Sequence, residues 1–191
     1  MTDIAVYGFG GFGKEVKSII ENINVVKESY IFKGFYDDAA DKFTSSIISE
    51  YLGDFNSANS IVTETLIVLA IADVRFRRLV RNKLNSNLIR FHNIIHPNLI
   101  LSEDTRIDGE GIIINANNFI SNNVIIGNYT ILNVGCVIGH DVRIGAYVSI
   151  MPGVTVSGNV YIGDNVYIGV GATIVNNIKI GKNSFIGAGS V

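Results

Sequence analysis

The second half of the sequence repeats every six residues. From Ile114 onward each sixth position is aliphatic without interruption: Ile114, Ile120, Ile126, Leu132, Ile138, Ile144, Ile150, Val156, Ile162, Ile168, Ile174, Ile180 and Ile186. A period of six matches neither the turn of an α-helix nor a heptad, and hairpin turns would not return at so short an interval. The repeat therefore predicts short strands that turn a corner once in every hexad.

Two other hexad positions indicate how these strands are arranged. The fourth residue after each aliphatic is small or β-branched except at Asn118, as expected for a second inward side chain. The third is Gly or Asn in ten of thirteen hexads, and these residues tolerate the left-handed backbone region of a sharp corner. Three hexads close a triangular coil of about 18 residues, and this period suits the left-handed form. We therefore predict a left-handed parallel β-helix at residues 96–191, with an irregular, out-of-register segment at 98–113.

Residues 1–95 have the alternating pattern of an α/β domain. Apolar strands are expected at 4–7, 31–35, 66–71 and 88–94, and helices at 14–21 and 74–84. Strands that alternate with helices predict a small parallel sheet. His96-Pro97 is expected to close this Rossmann-like domain as a structural junction, because proline restricts the residue before it.

A glycine loop joins the first predicted strand to the first predicted helix. Gly8 to Gly13 satisfies G-x-G-x-x-G in the strand-loop-helix context that this motif requires. Glycines allow close backbone approach, and the helix N-terminus offers free N–H groups to a phosphate. Asp37 follows the second strand, where an acid can bind a ribose or a base. The loop predicts a phosphate or nucleotide site, with a tight packing turn as the alternative; the domain is too short for both halves of a dinucleotide fold.

The chain contains three histidines, and one of them lies within the hexads. His140 stands beside Asp141, two residues after an inward isoleucine and therefore outward, next to a corner. A neutral imidazole suits proton removal, so His140 is the candidate general base and an incidental surface histidine is the alternative. His92 and His96 precede the repeat. One hexad histidine does not provide a three-histidine zinc site.

Two other groups of residues have expected roles that are mainly structural. Cys136 is the single cysteine and occupies an inward position, so we expect a core thiol in a reducing compartment. Arg75, Arg77, Arg78 and Arg81 form a basic face on the second helix. A solvated surface is the expected role of that face, and contact with an anionic ligand is the alternative.

Composition and charge exclude several partners. Fifteen Lys and Arg against 17 Asp and Glu give a net charge of -2, so there is no basic excess for a nucleic acid backbone. The longest apolar stretch, residues 66–72, is too short to cross a membrane. No basic segment precedes an apolar run at the start of the sequence, which indicates a cytoplasmic protein.

Together these motifs resemble the sugar O/N-acyltransferases of the PglD/NeuD type over nearly the whole chain. The residues that carry the resemblance are the glycine loop, Asp37-Asp38, Leu69-Ala70-Ile71 before the arginine-bearing helix, Ile95-His96-Pro97, and Gly139-His140-Asp141 within the hexads. The resemblance implies an acetyl-CoA-dependent N-acetyltransferase for a nucleotide-linked 4-amino-4,6-dideoxy sugar of a surface polysaccharide or glycan. It also implies a homotrimer with acetyl-CoA between neighbouring β-helices, and no metal.

The resemblance places the nucleotide-linked sugar on the N-terminal domain. The glycine loop would contact the phosphates, two adjacent acids would contact the nucleoside, and Ala72 takes a place usually held by glycine. The residues implied to bind this substrate are Gly10, Gly11, Phe12, Asp37, Asp38 and Ala72.

The resemblance places the chemistry on the β-helix. His140 would be the base, Asp141 the acid beside it, and Asn133 an asparagine one coil side earlier. The residues implied to contact the coenzyme are Ser149, Gly158, Val170 and Ala188. Many members of the family carry a second histidine at the place of Ser149, and Gly158 would offer its amide to the thioester carbonyl.

The implied mechanism is direct transfer without an acyl-enzyme. His140 would take a proton from the sugar amine as the nitrogen attacks the thioester, and the Gly158 N–H would stabilise the oxyanion. O-acetylation of a sialic acid or similar sugar and a non-catalytic β-helix scaffold are the alternatives, with a nicotinamide-dependent oxidoreductase the least favoured. The sequence ends at Val191 inside a hexad, so we expect the family's C-terminal cap to be missing.

Overall fold

The computed structural model describes residues 1–39, 48–107 and 109–191. Its first part is a five-stranded parallel sheet in the order β3-β2-β1-β4-β5. The strands are β1 (Thr2–Tyr7), β2 (Tyr30–Tyr36), β3 (Tyr51–Gly53), β4 (Thr65–Leu69) and β5 (Ile89–Phe91). From β1 the chain continues to β2 and β3 on one side of β1, and after β3 it crosses to β4 and β5 on the other side. Open α/β sheets bind ligands in the crevice at such a switch point.

In the described part of this domain, three α-helices accompany the sheet: α1 (Gly11–Val26), α2 (Phe55–Asn59) and α3 (Val74–Lys83), with a 3₁₀ turn at Ile48–Glu50. The sequence predicted a helix at 14–21, but α1 begins inside the glycine loop and runs past Asn22. Its buried side chains Val16, Ile19 and Ile20 pack on the sheet, and the partly buried Ile23 extends that contact into the last turn. Packing of an apolar face therefore sets the length of α1.

The second part is the left-handed parallel β-helix that the hexads predicted. Its strands form three sheets, in the orders β6-β8-β11-β14-β17-β20, β7-β9-β12-β15-β18 and β10-β13-β16-β19. The strands are β6 (Ile94–Ile95), β7 (Ile100–Leu101), β8 (Ile113–Ile114), β9 (Phe119–Ile120), β10 (Ile125–Ile126), β11 (Ile131–Leu132), β12 (Val137–Ile138), β13 (Arg143–Ile144), β14 (Ser149–Ile150), β15 (Thr155–Val156), β16 (Tyr161–Ile162), β17 (Tyr167–Ile168), β18 (Thr173–Ile174), β19 (Lys179–Ile180) and β20 (Phe185–Ile186).

The corners of the β-helix confirm the hexad analysis and add an exception. All thirteen third-position residues have a positive φ, including the three that are neither Gly nor Asn: Tyr129, Asp141 and Tyr147. Such residues adopt this conformation at an energetic cost, so their side chains are expected to have a compensating role. The inward positions form one continuous core that includes the buried Cys136.

The segment predicted to be irregular and out of register, 98–113, contributes strands to the first coil in its described residues, and it is out of register with the later hexads. Ile94 pairs with Ile113 and Ile100 pairs with Phe119, so the first and second coils are nineteen residues apart. Ile113 pairs with Ile131, so the next step is eighteen residues. Arg106 also pairs with Ile125, so the one extra residue lies between Arg106 and Ile113. This insertion shifts the hexad frame by one, which is why the segment looked out of register in the sequence.

The strand predicted at 88–94 is two strands that belong to different sheets. β5 ends at Phe91 beside β4, and β6 pairs with β8 of the β-helix. His92 is one of the two residues between them, and its Nε2 lies 2.8 Å from the hydroxyl of Tyr30 in the first sheet. The division of the chain after residue 95 stays a prediction, and β6 already pairs within the β-helix.

The α/β domain packs against one face of the β-helix. The outward side chains Ile94, Ile113 and Ile131 are fully buried, and they cluster with Val16 and Ile20 of α1. The next outward residue in this column is Ser149, also fully buried. An apolar column followed by a polar residue marks the edge of the contact between the two domains.

The arginines of α3 form the solvated face that the sequence predicted only in part, because Arg77 is buried. Arg77 is 0 % exposed, and its guanidinium donates to Ile71 O (2.5 Å) and Ala72 O (3.2 Å) in its own domain. It also donates to Val148 O (3.3 Å) and Ser149 Oγ (2.9 Å) in the β-helix. Burial lowers the pKa of Arg77 to about 10, so the side chain is still charged at neutral pH.

The other arginines of α3 make different contacts. Arg78 lies over the ring of Tyr147 at 5.9 Å, and Arg81 lies over Tyr129 at 5.4 Å and donates to its hydroxyl. The two tyrosines are stacked at 4.9 Å, and both occupy strained corners. The strain at these corners therefore places aromatic rings beneath α3. Arg75 and Arg78 are exposed, as the sequence predicted for the whole face.

Replacing Arg77 with leucine should weaken the joint between the domains. The Arg77→Leu variant leaves buried carbonyl oxygens without a donor, so we expect the free energy of unfolding to fall by about 2 kcal/mol. Arg75→Leu on the same helix is the control and should change it by less than about 0.5 kcal/mol. Urea unfolding followed by circular dichroism measures both; equal midpoints for the two variants would contradict the role given to Arg77.

Candidate active site

The glycine loop leaves an open surface at the start of α1. A side chain at Gly13 would collide with the carbonyl oxygen of Gly8, so these two glycines allow the helix to pack on β1. By contrast, nothing lies within 4 Å of a Cβ built on Gly10 or Gly11. Gly10 is the N-cap of α1. Because glycine has no side chain to cap the first turn, the N–H groups of that turn can bind an anion. The partly exposed Phe12 completes this surface.

The two predicted acids lie beside this loop and support it. Asp37 is buried, and its carboxylate accepts from the Phe9 N–H (2.8 Å) and the Ala39 N–H (2.9 Å). Asp38 accepts from the Tyr7 hydroxyl (3.0 Å) and the Phe55 N–H (3.0 Å). The pKa of Tyr7 is raised, first by burial and then by the Asp38 hydrogen bond. Both acids therefore hold the walls of the crevice at the carboxyl ends of β1 and β2.

A cleft of about 790 Å³ lies between the start of α3 and the last coils of the β-helix. Ala72, Asp73 and Arg75 line its α/β side, and Tyr167 and Phe185 line its β-helix side. Ala72 belongs to the loop after β4, which borders the switch point of the sheet. A ligand with its phosphates on the glycine loop could therefore extend past Ala72 into the cleft.

Ser149 differs from the expected coenzyme contact. Its hydroxyl accepts from Arg77 and donates to Ala72 O at 2.8 Å, and the residue is fully buried. No atom of Ser149 is exposed to a coenzyme in this structure. Arg77 causes this difference, because its guanidinium fills the space in front of the outward position at β14.

His140 and Asp141 form a hydrogen-bonded pair at a corner of the β-helix. The distance from His140 Nδ1 to Asp141 Oδ2 is 2.8 Å, and the side chains are 66 % and 48 % exposed. Asp141 has a φ of +59°, so the chain accepts a strained corner in order to place this carboxylate beside the imidazole. The hydrogen bond from His140 lowers the pKa of Asp141, as does a second from Asn123. Asp141 therefore remains ionised at a lower pH than an ordinary aspartate. Because its carboxylate only accepts hydrogen bonds, it keeps the proton of the neutral His140 ring on Nδ1.

Gly158 lies one coil beyond His140, directly beneath its ring. A Cβ built on Gly158 would lie 2.5 Å from His140 Nε2. Among the residues the structure describes, none accepts a hydrogen bond from the Gly158 N–H. The imidazole edge that carries Nε2 and an unused backbone donor are thus neighbours, which is the arrangement that a general base and an oxyanion donor require.

The remaining predicted residues lie at the other edge of the same sheet. Asn133 is buried, and its Oδ1 accepts from the Val134 N–H at 2.7 Å. Asn133 is the first residue of a corner that recurs in every coil. Val170 and Ala188 are exposed at this same corner, two and three coils farther along the β-helix. The structure therefore brings His140, Asp141 and Gly158 together, and it does not bring Asn133, Val170 or Ala188 to them within one chain.

The other two histidines have structural contacts. His96 Nε2 lies 3.1 Å from Asn22 Nδ2 of α1, and its Nδ1 accepts from the Asn98 N–H at 2.9 Å. Burial lowers the pKa of both His92 and His96. Across residues 1–39, 48–107 and 109–191, no group of three or more His, Cys, Asp or Glu is placed to hold a metal ion. Within the same residues, no helix has the length and apolarity to span a membrane.

Sequence reasoning missed Asn123 and Arg77. Asn123 donates to Asp141 Oδ1 at 2.6 Å, and a step of eighteen back from Asp141 would have found it. The burial of Arg77 had no comparable signal, because it depends on how α3 meets the β-helix.

Comparisons with known proteins agree with this architecture. Residues 3–84 match the PglD N-terminal domain model, and residues 123–158 and 159–191 match the model for the bacterial transferase hexapeptide (six repeats). The acetyltransferase domain of PglB from Neisseria gonorrhoeae FA1090 aligns with a TM-score of 0.87 and 25% identity, over 99% of this chain and 90% of that one. This chain belongs to the PglD-type sugar acyltransferases. A search of curated protein sequences finds no match.

Two further solved structures are similar to this acyltransferase over nearly its whole length. PerB from Caulobacter crescentus, in complex with CoA and GDP-perosamine, has a TM-score of 0.83 and 27% identity, over 99% of this chain and 87% of that one. WeeI from Acinetobacter baumannii AYE has a TM-score of 0.86 and 27% identity, over 100% of this chain and 92% of that one. The PglB domain has also been solved with acetyl coenzyme A.

A methyl group at Gly158 should disable the acyltransferase without unfolding it. Gly158→Ala forces the His140 ring off its seat, so we expect turnover to fall by about 100-fold, a typical contribution of a placed general base. The control is Gly181→Ala, since the nearest atom to a Cβ there lies 3.9 Å away. Neither glycine has a left-handed φ, so the backbone tolerates alanine at both. If Gly158→Ala transfers acetyl groups as fast as Gly181→Ala, the contact between Gly158 and the His140 ring is not needed for activity, and the prediction is wrong.

Proposed function

We propose that this acyltransferase uses acetyl-CoA to N-acetylate the amine of a nucleotide-linked 4-amino-4,6-dideoxy sugar. The observation that carries the proposal is the His140-Asp141 pair over Gly158, in a chain that also carries the PglD N-terminal domain. The similar Caulobacter enzyme is a perosamine N-acetyltransferase that binds CoA and GDP-perosamine. It has also been solved with one histidine replaced by asparagine or alanine.

In the proposed reaction the amine attacks the acetyl thioester directly. His140 Nε2 takes the proton from the nitrogen, and the bond between the carbonyl carbon and sulfur breaks to release CoA. The Gly158 N–H donates to the oxyanion as it forms, and a donor placed in advance is worth roughly 3 kcal/mol. Asp141 keeps the proton on Nδ1, so Nε2 is free to accept one.

The glycine loop and the cleft are the proposed acceptor site. Gly10 and Gly11 leave room for a diphosphate at the N-terminus of α1, and Phe12 borders it. Asp37 and Asp38 would meet the nucleoside beyond the loop that they support. The sugar would pass Ala72 and enter the cleft toward the β-helix.

The proposed assembly is a homotrimer with sites shared between subunits. Ile100, Phe119 and Val137 form an exposed apolar stripe on the sheet between the two edges described above. A second copy packed on this stripe could bring the Val170 and Ala188 edge of one subunit to His140 of the next. Acetyl-CoA would then lie between two β-helices, as the family resemblance implies. We place this enzyme in the cytoplasm, in the synthesis of a surface polysaccharide or glycan.

Product mass spectrometry tests the proposed reaction. The enzyme is incubated with acetyl-CoA and a panel of UDP-, dTDP- and GDP-linked 4-amino sugars, and we expect one acceptor to gain a single acetyl group. His140→Ala should lower that turnover by about 100-fold, because the base is lost. His96→Ala, a histidine of the domain junction, is the control and should retain it.

The other outcomes of this experiment are equally informative. Acetylation of a free sialic acid hydroxyl, with no transfer to any nucleotide-linked amine, would identify an O-acetyltransferase instead. Bound acetyl-CoA without transfer to any acceptor in the panel would contradict the proposed substrate class. Full turnover by His140→Ala would remove His140 from the role of base.

A further inference from the structure

A line of hydrogen bonds continues from Asp141 away from His140, and the proposed reaction leaves it unused. Asn123 occupies the same corner one coil earlier, and its Nδ2 donates to Asp141 Oδ1 at 2.6 Å. Arg143, two residues after Asp141, reaches back to Asn123. Its Nη2 donates to Asn123 Oδ1 at 3.2 Å, and its Nη1 donates to Asn123 O.

The contact with Arg143 determines the orientation of the Asn123 amide. A guanidinium is only a donor, so the amide oxygen of Asn123 must face Arg143. The amide nitrogen then faces Asp141, whose carboxylate is only an acceptor. With Oδ1 bound to Asn123, the carboxylate presents Oδ2 to His140 Nδ1 at 2.8 Å. Each member of the line can therefore adopt only one hydrogen-bonding role.

We propose that Asn123, oriented by Arg143, is a positioning residue that fixes the Asp141 carboxylate and thereby the tautomer of His140. A carboxylate held in this way keeps the proton on Nδ1 and leaves Nε2 unprotonated above Gly158. The kinetic consequence rests on the proposed function, in which Nε2 is the base. The structural consequence, a single tautomer of His140, does not.

The charges around this corner agree with that role. Arg143 lowers the pKa of Asp141 by its positive charge, and the charge of Asp141 in turn acts to raise the pKa of Asp104 in the first coil, although hydrogen bonds keep that pKa below its usual value. Hydrogen bonds from His140 and then from Asn123 lower the pKa of Asp141, and the charge of Arg143 contributes in the same direction. Loss of the Asn123 side chain should therefore raise the pKa of Asp141 and loosen its hold on the imidazole.

Asn123→Gly tests the proposal without disturbing the fold. Asn123 has a φ of +55°, a conformation that glycine adopts freely, so the variant removes the amide and keeps the corner. Asn117→Gly is the matched control, because Asn117 has a φ of +59° and a single side-chain bond to Asn98 at 2.9 Å. Nitrogen-15 NMR of the histidine rings above pH 8 reports which nitrogen of His140 carries the proton.

We expect the unmodified enzyme and Asn117→Gly to show His140 with its proton on Nδ1, and Asn123→Gly to show a mixture of both tautomers. With the acceptor, kcat of Asn123→Gly should fall about tenfold with KM unchanged, a part of what general base catalysis supplies. Asn123→Asp has the same shape but sets a carboxylate against Asp141, and it should lower kcat further.

The two readouts separate the positioning role from the proposed function. A tautomer mixture in Asn123→Gly with unchanged turnover would uphold the positioning role and overturn His140 as the base. A single Nδ1–H tautomer in Asn123→Gly, as in the control, would overturn the positioning role whatever the kinetics.

Discussion

The eighteen-residue coil is the constraint on which this molecule depends. Beyond the first two coils, each residue of the β-helix lies directly above one eighteen positions earlier, so the sequence repeat becomes a set of spatial neighbours. The pairs Asn123 with Asp141, and His140 with Gly158, are both products of this step. A catalytic constellation can therefore be built from residues that are distant in sequence, on a scaffold whose corners are rigid.

Three corners of the β-helix carry residues for which the left-handed backbone conformation is unfavourable. Glycine or asparagine occupies the left-handed position at ten corners, whereas Tyr129, Asp141 and Tyr147 occupy the other three. Asp141 holds the candidate base, and the two tyrosines receive the arginines of α3. Backbone strain of this kind persists only where the surroundings determine it, and here it coincides with the two roles of these corners, support of the candidate base and domain docking.

Arg77 connects those two roles. Its guanidinium joins the loop that carries Ala72 to the outward face of β14, and no carboxylate among the described residues is in hydrogen-bond contact with it. A buried charge with carbonyl partners is costly, and its benefit is a fixed relation between the loop that carries Ala72 and the β-helix. The cleft between them is therefore formed by a specific contact rather than by apolar packing alone.

The sequence predicted those features that depend on local periodicity. The hexads predicted the β-helix, and the alternating strand and helix segments of residues 1–95 predicted the parallel sheet, because both patterns lie in neighbouring residues. The burial of Arg77 and of Ser149 could not be predicted in this way. Both depend on contacts between segments whose separation in the sequence follows no period.

The central claim is that the thioester meets Gly158 and His140 at one corner of the β-helix. A crystal structure of the protein with acetyl-CoA tests it most directly. We predict the thioester carbonyl oxygen within about 3 Å of the Gly158 N–H, with His140 Nε2 facing the space beside the carbonyl carbon. A thioester bound at a corner that lacks His140, with the Gly158 N–H open to solvent, would contradict the account.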